Sequence, residues 1–174
     1  MKFCMNGALT IGTMDGANIE ICSDVGVENA FMLGLSAQEV EALRNRGYRP
    51  YDYYASNPAL RGVIDFIRDG FFSRGDVNMF KPLVDGLLNW DTYMLFADFQ
   101  SYTETQELVN TVYQNPTQWN KMSILNVARS GKFSSDRTIC EYAQDIWRVS
   151  RVPIRLLSQN ELTLGLKEDP TSGS

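Results

Sequence analysis

No histidine occurs anywhere in the 174 residues. That removes the commonest general base near neutral pH and the commonest zinc ligand together. Any chemistry must come from carboxylates, a lysine of perturbed pKa or a cofactor, and no metal centre is expected. Cysteine is scarce: Cys4, Cys22 and Cys140 are odd in number, widely spaced and form no C-x-x-C pair. They read as reduced, buried thiols. No apolar run approaches the roughly 20 residues that cross a bilayer, and no basic stretch, apolar core and small-residue cleavage site stand at the N-terminus. No Lys/Arg run tracks a phosphate backbone, and 16 basic against 21 acidic residues leave a net charge of -5. Neither nucleic acid nor a membrane is an expected partner, which leaves a soluble, cytoplasmic protein as the expectation.

What is present is ordinary globular material, 44% hydrophobic and 21% charged, of a length suited to one core. Short apolar runs punctuated by glycine occupy the first third. Residues 8–13 suit a strand or loop, Asp15 and Gly16 signal a turn, and residues 17–21 fit either a helical turn or a strand, since Ile19 and Ile21 alternate. Residues 30–34 read as a short buried strand. Ser36 followed by Glu39 predicts a capping box opening a helix that runs to about Arg46 and stops at Gly47.

Helical spacing dominates from Tyr51 onward. Asn57 and Pro58 predict an N-cap and first helical position, followed by a stripe of Leu60, Val63, Ile64 and Ile67 that ends at Gly70. A helix is predicted over 77–88, an extended connector over 91–97, and a helix from Ser101 to Tyr113. Another helix runs from Asn115 and Pro116 to Arg129 and closes at Gly131. A last helix, capped by Ser134 or Ser135, places Ile139, Tyr142, Ala143, Ile146 and Trp147 on one face. Trp119, Trp147 and the tyrosine stripe of Tyr102 and Tyr113 read as core, although an exposed aromatic suits a sugar face. Residues 151–174 read as a polar, flexible tail.

The residues alone name no catalytic pair. Gly7, Gly12 and Gly16 match neither a G-x-G-x-x-G fingerprint nor a P-loop. Glu39/Glu41 and Asp65/Asp69 read as solvated helix faces, and Lys2 by itself reads as an exposed charge.

The segment Met1-Lys2-Phe3-Cys4-Met5-Asn6, continuing through Gly12-Thr13-Met14-Asp15-Gly16-Ala17-Asn18, resembles the stretch of α-glucan (glycogen/starch/maltodextrin) phosphorylases that carries the pyridoxal phosphate lysine. The Met-Lys-x-x-Met-Asn half of that motif is present, and the Glu-Ala-Ser/Cys-Gly half that precedes it in the family is not. Further matches follow in order: Arg46-Gly47-Tyr48, Gly70-Phe71-Phe72-Ser73, Phe96-Ala97-Asp98, and Gly131-Lys132-Phe133-Ser134-Ser135-Asp136-Arg137-Thr138-Ile139. The likeness covers about residues 1–150.

The resemblance implies an α/β fold, the C-terminal portion of a two-Rossmann-domain (GT-B type) glycosyltransferase, mostly helical with a few short parallel strands. It implies Lys2 as the lysine that holds pyridoxal 5'-phosphate, and no catalytic side chain besides. It also implies α-1,4-glucan and inorganic phosphate as substrates of the full-length enzyme, with glucose 1-phosphate released, and homodimeric full-length relatives. Because the family's enzymes are several times longer, the resemblance makes this chain a fragment, inactive on its own. The alternative is a stand-alone interaction module that keeps the helical half of the fold. Gly12, Asp15 and Gly16 are expected to serve turn geometry around the lysine segment rather than to touch a ligand.

Overall fold

Two three-residue strands, β1 (Ile11–Thr13) and β2 (Phe31–Leu33), pair in parallel with Ile11 opposite Phe31, Gly12 opposite Met32 and Thr13 opposite Leu33. Parallel neighbours need a crossover. In this computed structural model, which describes residues 1–150 and residue 152, the crossover is helix α2 (Gly16–Val25), preceded by the four-residue helix α1 (Lys2–Met5). The ambiguous Ile19 segment is thus helical. Asp15 takes the extended N-cap conformation, Gly16 the left-handed φ of +46°, and Asn18 Nδ2 donates to the Thr13 carbonyl at 2.9 Å, turning the chain off the strand. A Cβ on Gly12 would lie 2.8 Å from that amide nitrogen. Asp15 and Gly16 thus serve turn geometry, as expected, whereas Gly12 lies within β1, where its missing side chain leaves room for the Asn18 amide. The predicted tail lies outside the described residues except for Val152.

Residues 1–133 form one compact unit, and the described residues from Ser134 onward belong to another. In the first, α3 (Ala37–Asn45) opens on the predicted capping box: Ser36 Oγ accepts from Glu39 N at 3.3 Å, and Glu39 Oε2 accepts from Ser36 N at 2.8 Å. These bonds favour the ionised carboxylate and hold the Glu39 pKa below its ordinary value. Gly47, with φ +87°, follows the helix end. Helix α4 spans Pro50–Ser56, and α5 (Pro58–Arg68) is capped by Asn57 Oδ1, which accepts from Ala59 N and Leu60 N at 3.0 and 3.1 Å. Of the α5 stripe, Leu60 and Ile64 are buried and Ile67 is half-buried, whereas Val63 is exposed.

Helix α6 is Lys81–Asn89, not 77–88. Pro82 has no N–H to donate and fits only a first helical turn, while Asp76 Oδ1 accepts from Asn78 N at 2.9 Å and turns the chain ahead of it. The predicted extended connector over 91–97 is also overturned. It is a tight turn leading straight into the 19-residue α7 (Leu95–Tyr113), because the Asp91 carboxylate accepts from Leu95 N and Phe96 N at 3.0 and 2.9 Å. Helix α8 (Pro116–Arg129) follows, capped by Asn115 Oδ1 accepting from Gln118 N at 3.2 Å. It passes into a 3-10 turn over Ser130–Phe133, so Gly131 lies inside a turn rather than terminating the helix.

Three apolar clusters build the first unit. Leu60, Ile64, Val84 and Phe96 join α4–α7, with Tyr53 and Tyr54 packed beside them. Cys4, Ile21 and Val25 join α1 to α2, closed by Phe133. Phe31, Val112 and Met122 seat β2 on α7 and α8, where Trp119 packs as expected, its ring 6.4 Å from Phe31. Among the described residues no helix is long and apolar enough to cross a membrane.

The second unit departs further from expectation. Helix α9 (Ser135–Glu141) has Ser134 as N-cap, but neither serine makes the predicted side-chain cap; Thr138 Oγ1 donates instead to the Ser134 carbonyl at 3.2 Å. From Tyr142 to Trp147 the chain widens to a π-helical turn. That changes the residue period from there on, and the predicted stripe is not buried, Ile139 ahead of the turn being 54% exposed and Trp147, expected in the core, 56%. Cys140 is exposed as well, whereas Cys4 and Cys22 are buried, and all three are free thiols.

Tyr48 Oη donates to Asp91 Oδ2, and burial, then this bond to a carboxylate, pushes the Tyr48 phenol well above its ordinary value. A folded-state pKa above the unfolded one gives stability that is complete below the unfolded pKa of about 10 and declines as pH rises past it. Tyr48→Phe is therefore expected to cost about 1–2 kcal/mol at pH 7 in urea unfolding. The gap between the two proteins should stay constant up to about pH 10 and narrow above it.

Candidate functional site

Four residues are too few to hold a helix by themselves, so α1, with Lys2 as its first residue, is maintained by what it touches. Cys4 is its one buried residue, 1% exposed. Burial pushes the Cys4 thiol pKa up and keeps the proton on sulfur, and Sγ donates to Asn126 Oδ1 at 3.3 Å. The end of α1 is tied by Asn6 Nδ2 donating to the Lys2 carbonyl at 2.7 Å and by Ala8 N donating to the Phe3 carbonyl at 3.0 Å. Gly7 then turns the chain with φ +83°, and its carbonyl accepts from Ser123 Oγ at 2.7 Å. A Cβ there would lie 2.6 Å from that hydroxyl oxygen, so glycine is required for both reasons.

Asn126, fully buried in α8, joins the pieces. Its amide accepts from Cys4 and donates to the Asn29 carbonyl at 2.8 Å and the Met122 carbonyl at 2.9 Å. One side chain thereby fixes α1, the chain just ahead of β2, and α8. Arg129 adds a bond to the Val25 carbonyl at 2.6 Å, and Lys132 reaches Asp24 at 3.2 Å.

On this base Lys2 is exposed, and its ammonium has no hydrogen-bond or ion-pair partner among the described residues. Met1, Phe3 and Met5 surround it in sequence and are exposed too. The arrangement is a free amine on a positioned backbone. The anchors other than Asn6 lie outside the recognisable motif: Cys4 occupies a variable position of it, and Ser123 and Asn126 are over a hundred residues away. Their only sequence signal is that they lie on the inward side of an amphipathic helix.

The Glu39/Glu41 and Asp65/Asp69 pairs also find their places. Glu39 belongs to the capping box, Glu41 is exposed, and Asp69 pairs with Arg68 at 3.1 Å on the surface. Asp65 is half-buried and accepts from Tyr54 Oη at 2.7 Å. None forms a carboxylate pair suited to acid-base work.

A family model described as carbohydrate phosphorylase matches residues 1–149. With its short parallel sheet, its helical body and the lysine at the head of α1, the chain belongs to that family. Its relatives include the glycogen phosphorylase of Synechocystis sp., 56% identical over 90% of this chain and 18% of that protein. The brain form of glycogen phosphorylase from Bos taurus is 52% identical over 84% of this chain and 17% of its own length, and the muscle form from Homo sapiens 47% over 92% and 19%. The chain thus spans about a fifth of the length of these curated relatives.

Asn126→Ala is expected to leave the Asn29 carbonyl without a buried partner and the Cys4 thiol with only the backbone carbonyl of residue 126, 3.6 Å away, and to destabilise the first unit by about 1–3 kcal/mol. This should appear as a lower urea midpoint at unchanged slope. Accelerated amide exchange in residues 2–8 should accompany it, whereas Asn57→Ala, which removes a distant helix cap, should leave that exchange unaltered.

Proposed function

We propose that residues 1–150 are the C-terminal, cofactor-lysine portion of the catalytic domain of a pyridoxal-phosphate-dependent α-glucan phosphorylase. In the complete enzyme, terminal α-1,4 bonds of glycogen, starch or maltodextrin are cleaved by inorganic phosphate to give glucose 1-phosphate. The observation that carries this reading is Lys2, an amine without a carboxylate partner on a helix held by Cys4, Asn6 and Gly7. A lysine so placed fits an aldehyde cofactor, since no ion pair must be broken to expose it.

The cofactor, when bound, supplies a phosphate monoester with a second pKa of about 6, suited to proton transfer beside a substrate phosphate. The work of this chain's own residues is positional. Lys2 holds the cofactor covalently, and the Cys4–Asn126 and Gly7–Ser123 bonds set where Lys2 stands. The remaining groups that grip cofactor and substrate belong to the rest of a full-length polypeptide. A two-Rossmann architecture, a cytoplasmic location and homodimeric assembly of the complete enzyme belong to the same reading.

For the 174-residue chain in isolation the reading is an inactive module that associates through apolar surface. Phe3, Phe71 and Phe72 are all strongly exposed, and patches of this kind promote association.

The test replaces the matching segment of the Synechocystis relative with this chain. The chimera is expected to bind pyridoxal phosphate, seen by absorbance and by borohydride-fixed label on Lys2, and to release glucose 1-phosphate from maltodextrin. Lys2→Ala should remove the label and lower the rate by at least about a thousandfold. A folded chimera that takes up no label on Lys2 sinks the proposal, and glucose 1-phosphate release by the isolated chain would refute its inactivity.

A further inference from the structure

The turn between α6 and α7 carries two aromatic side chains that the fold does not bury. Trp90 is 78% and Tyr93 82% exposed. Together with Pro82, Leu83, Leu87 and Thr92 they line an open groove of about 380 Å³.

Their base is rigid. Asp91 and Met94 take left-handed φ values of +30° and +56°, which non-glycine residues adopt only where the surroundings hold them. Here the holder is Asp91, 4% exposed, whose carboxylate accepts from Tyr48 Oη, Leu95 N and Phe96 N. The backbone adds Trp90 N and Asp91 N to the Gly86 carbonyl at 2.9 and 3.1 Å, and Met94 N to the Asp91 carbonyl at 2.9 Å. A ligand meeting these rings therefore does not have to order the turn first.

The lining chemistry narrows the occupant. No lysine or arginine lines the groove, so an anion finds no counterion. Its one carboxylate, Asp91, is already spent on three donors. What remains is an apolar floor, two aromatic planes and a rim of hydroxyls from Thr92 and Tyr93. That suits a neutral ligand with an apolar face and a hydroxyl edge, which is the description of a pyranose ring: its C–H faces pack on aromatic planes and its hydroxyls bond at the edge. The exposed cluster of Phe66, Phe71 and Phe72, with ring centroids 5.3 and 5.0 Å apart, differs in kind. It has no hydrogen-bonding group and suits packing against protein.

We propose that the Trp90–Tyr93 turn is a binding surface for linear α-1,4-glucan, an inference that rests on the α-glucan phosphorylase reading above. The test is affinity electrophoresis of the 174-residue chain through gels containing amylose, with dextran as the α-1,6-linked control. Amylose is expected to retard the chain, with maltoheptaose competing, and dextran to retard it less. Trp90→Ala and Tyr93→Ala should each weaken retardation by about tenfold, the size expected for truncating one aromatic anchor. Trp90→Phe should keep most of it, and Lys2→Ala all of it. Tyr93 is so exposed that its truncation leaves the fold intact, which far-UV circular dichroism checks for each variant.

The proposal is overturned by absence of retardation, by retardation of both alanine variants equal to that of the unaltered chain, or by retardation that maltoheptaose fails to relieve, the last marking a surface for protein. Label on Lys2 of the chimera without amylose retardation of the chain rejects the glucan surface alone. Retardation through Trp90 with no label on Lys2 rejects the cofactor reading alone.

Discussion

The buried amide of Asn126 is the interaction on which the arrangement around Lys2 depends. A helix of one turn has no stability of its own, and the apolar contact of Cys4 with Ile21 and Val25 fixes how deep α1 sits without fixing its rotation. The directional bonds do that. Asn126 accepts a hydrogen bond from the Cys4 thiol on its oxygen and donates both of its N–H groups to carbonyls, so the amide is fully engaged and buries no polar group unpaired. An apolar residue there would fill the space but leave the Asn29 carbonyl without a partner.

Asp91 plays the corresponding role at the other end of the first unit. It caps a 19-residue helix from four and five residues upstream and receives the Tyr48 hydroxyl from the far side. Both hubs follow one pattern, in which a short-side-chain polar group on one element satisfies backbone or side-chain donors and acceptors of others. In each case an exposed neighbour stands on the geometry that the hub sets, Lys2 in one case and Trp90 with Tyr93 in the other. Rigid polar anchoring beneath exposed side chains holds their backbone in shape without covering them.

Sequence signals match the structure where the interaction is local. The Ser36–Glu39 capping box, the Asn57 and Asn115 caps ahead of proline, and Gly47 after α3 each involve residues within a few positions of one another. The readings of 77–88 and 91–97 failed for opposite reasons. In the first, apolar periodicity extends past the point where Pro82, confined to a first helical turn, lets the helix begin. In the second, the deciding donor, Tyr48, lies 43 residues from Asp91. In the stripe from Ile139 to Trp147, Ile139 ahead of the π-helical turn is exposed like Ile146 and Trp147 within it, so helical spacing marked a common face and not burial.

By itself the sequence determined the family, through ordered motifs spread over about 150 residues, and it marked Lys2 as the residue of interest. It also set most helix boundaries, because caps and turn glycines act over one turn of chain. Only the tertiary structure decided how Lys2 is held, which cysteines are buried and which aromatic side chains face water. Those depend on partners such as Cys4 and Asn126, 122 positions apart, and no local rule of hydrogen bonding or hydrophobic period reaches that far. Burial is a property of the packed surface rather than of the residue, so Trp119 and Trp147 are alike in composition and opposite in environment.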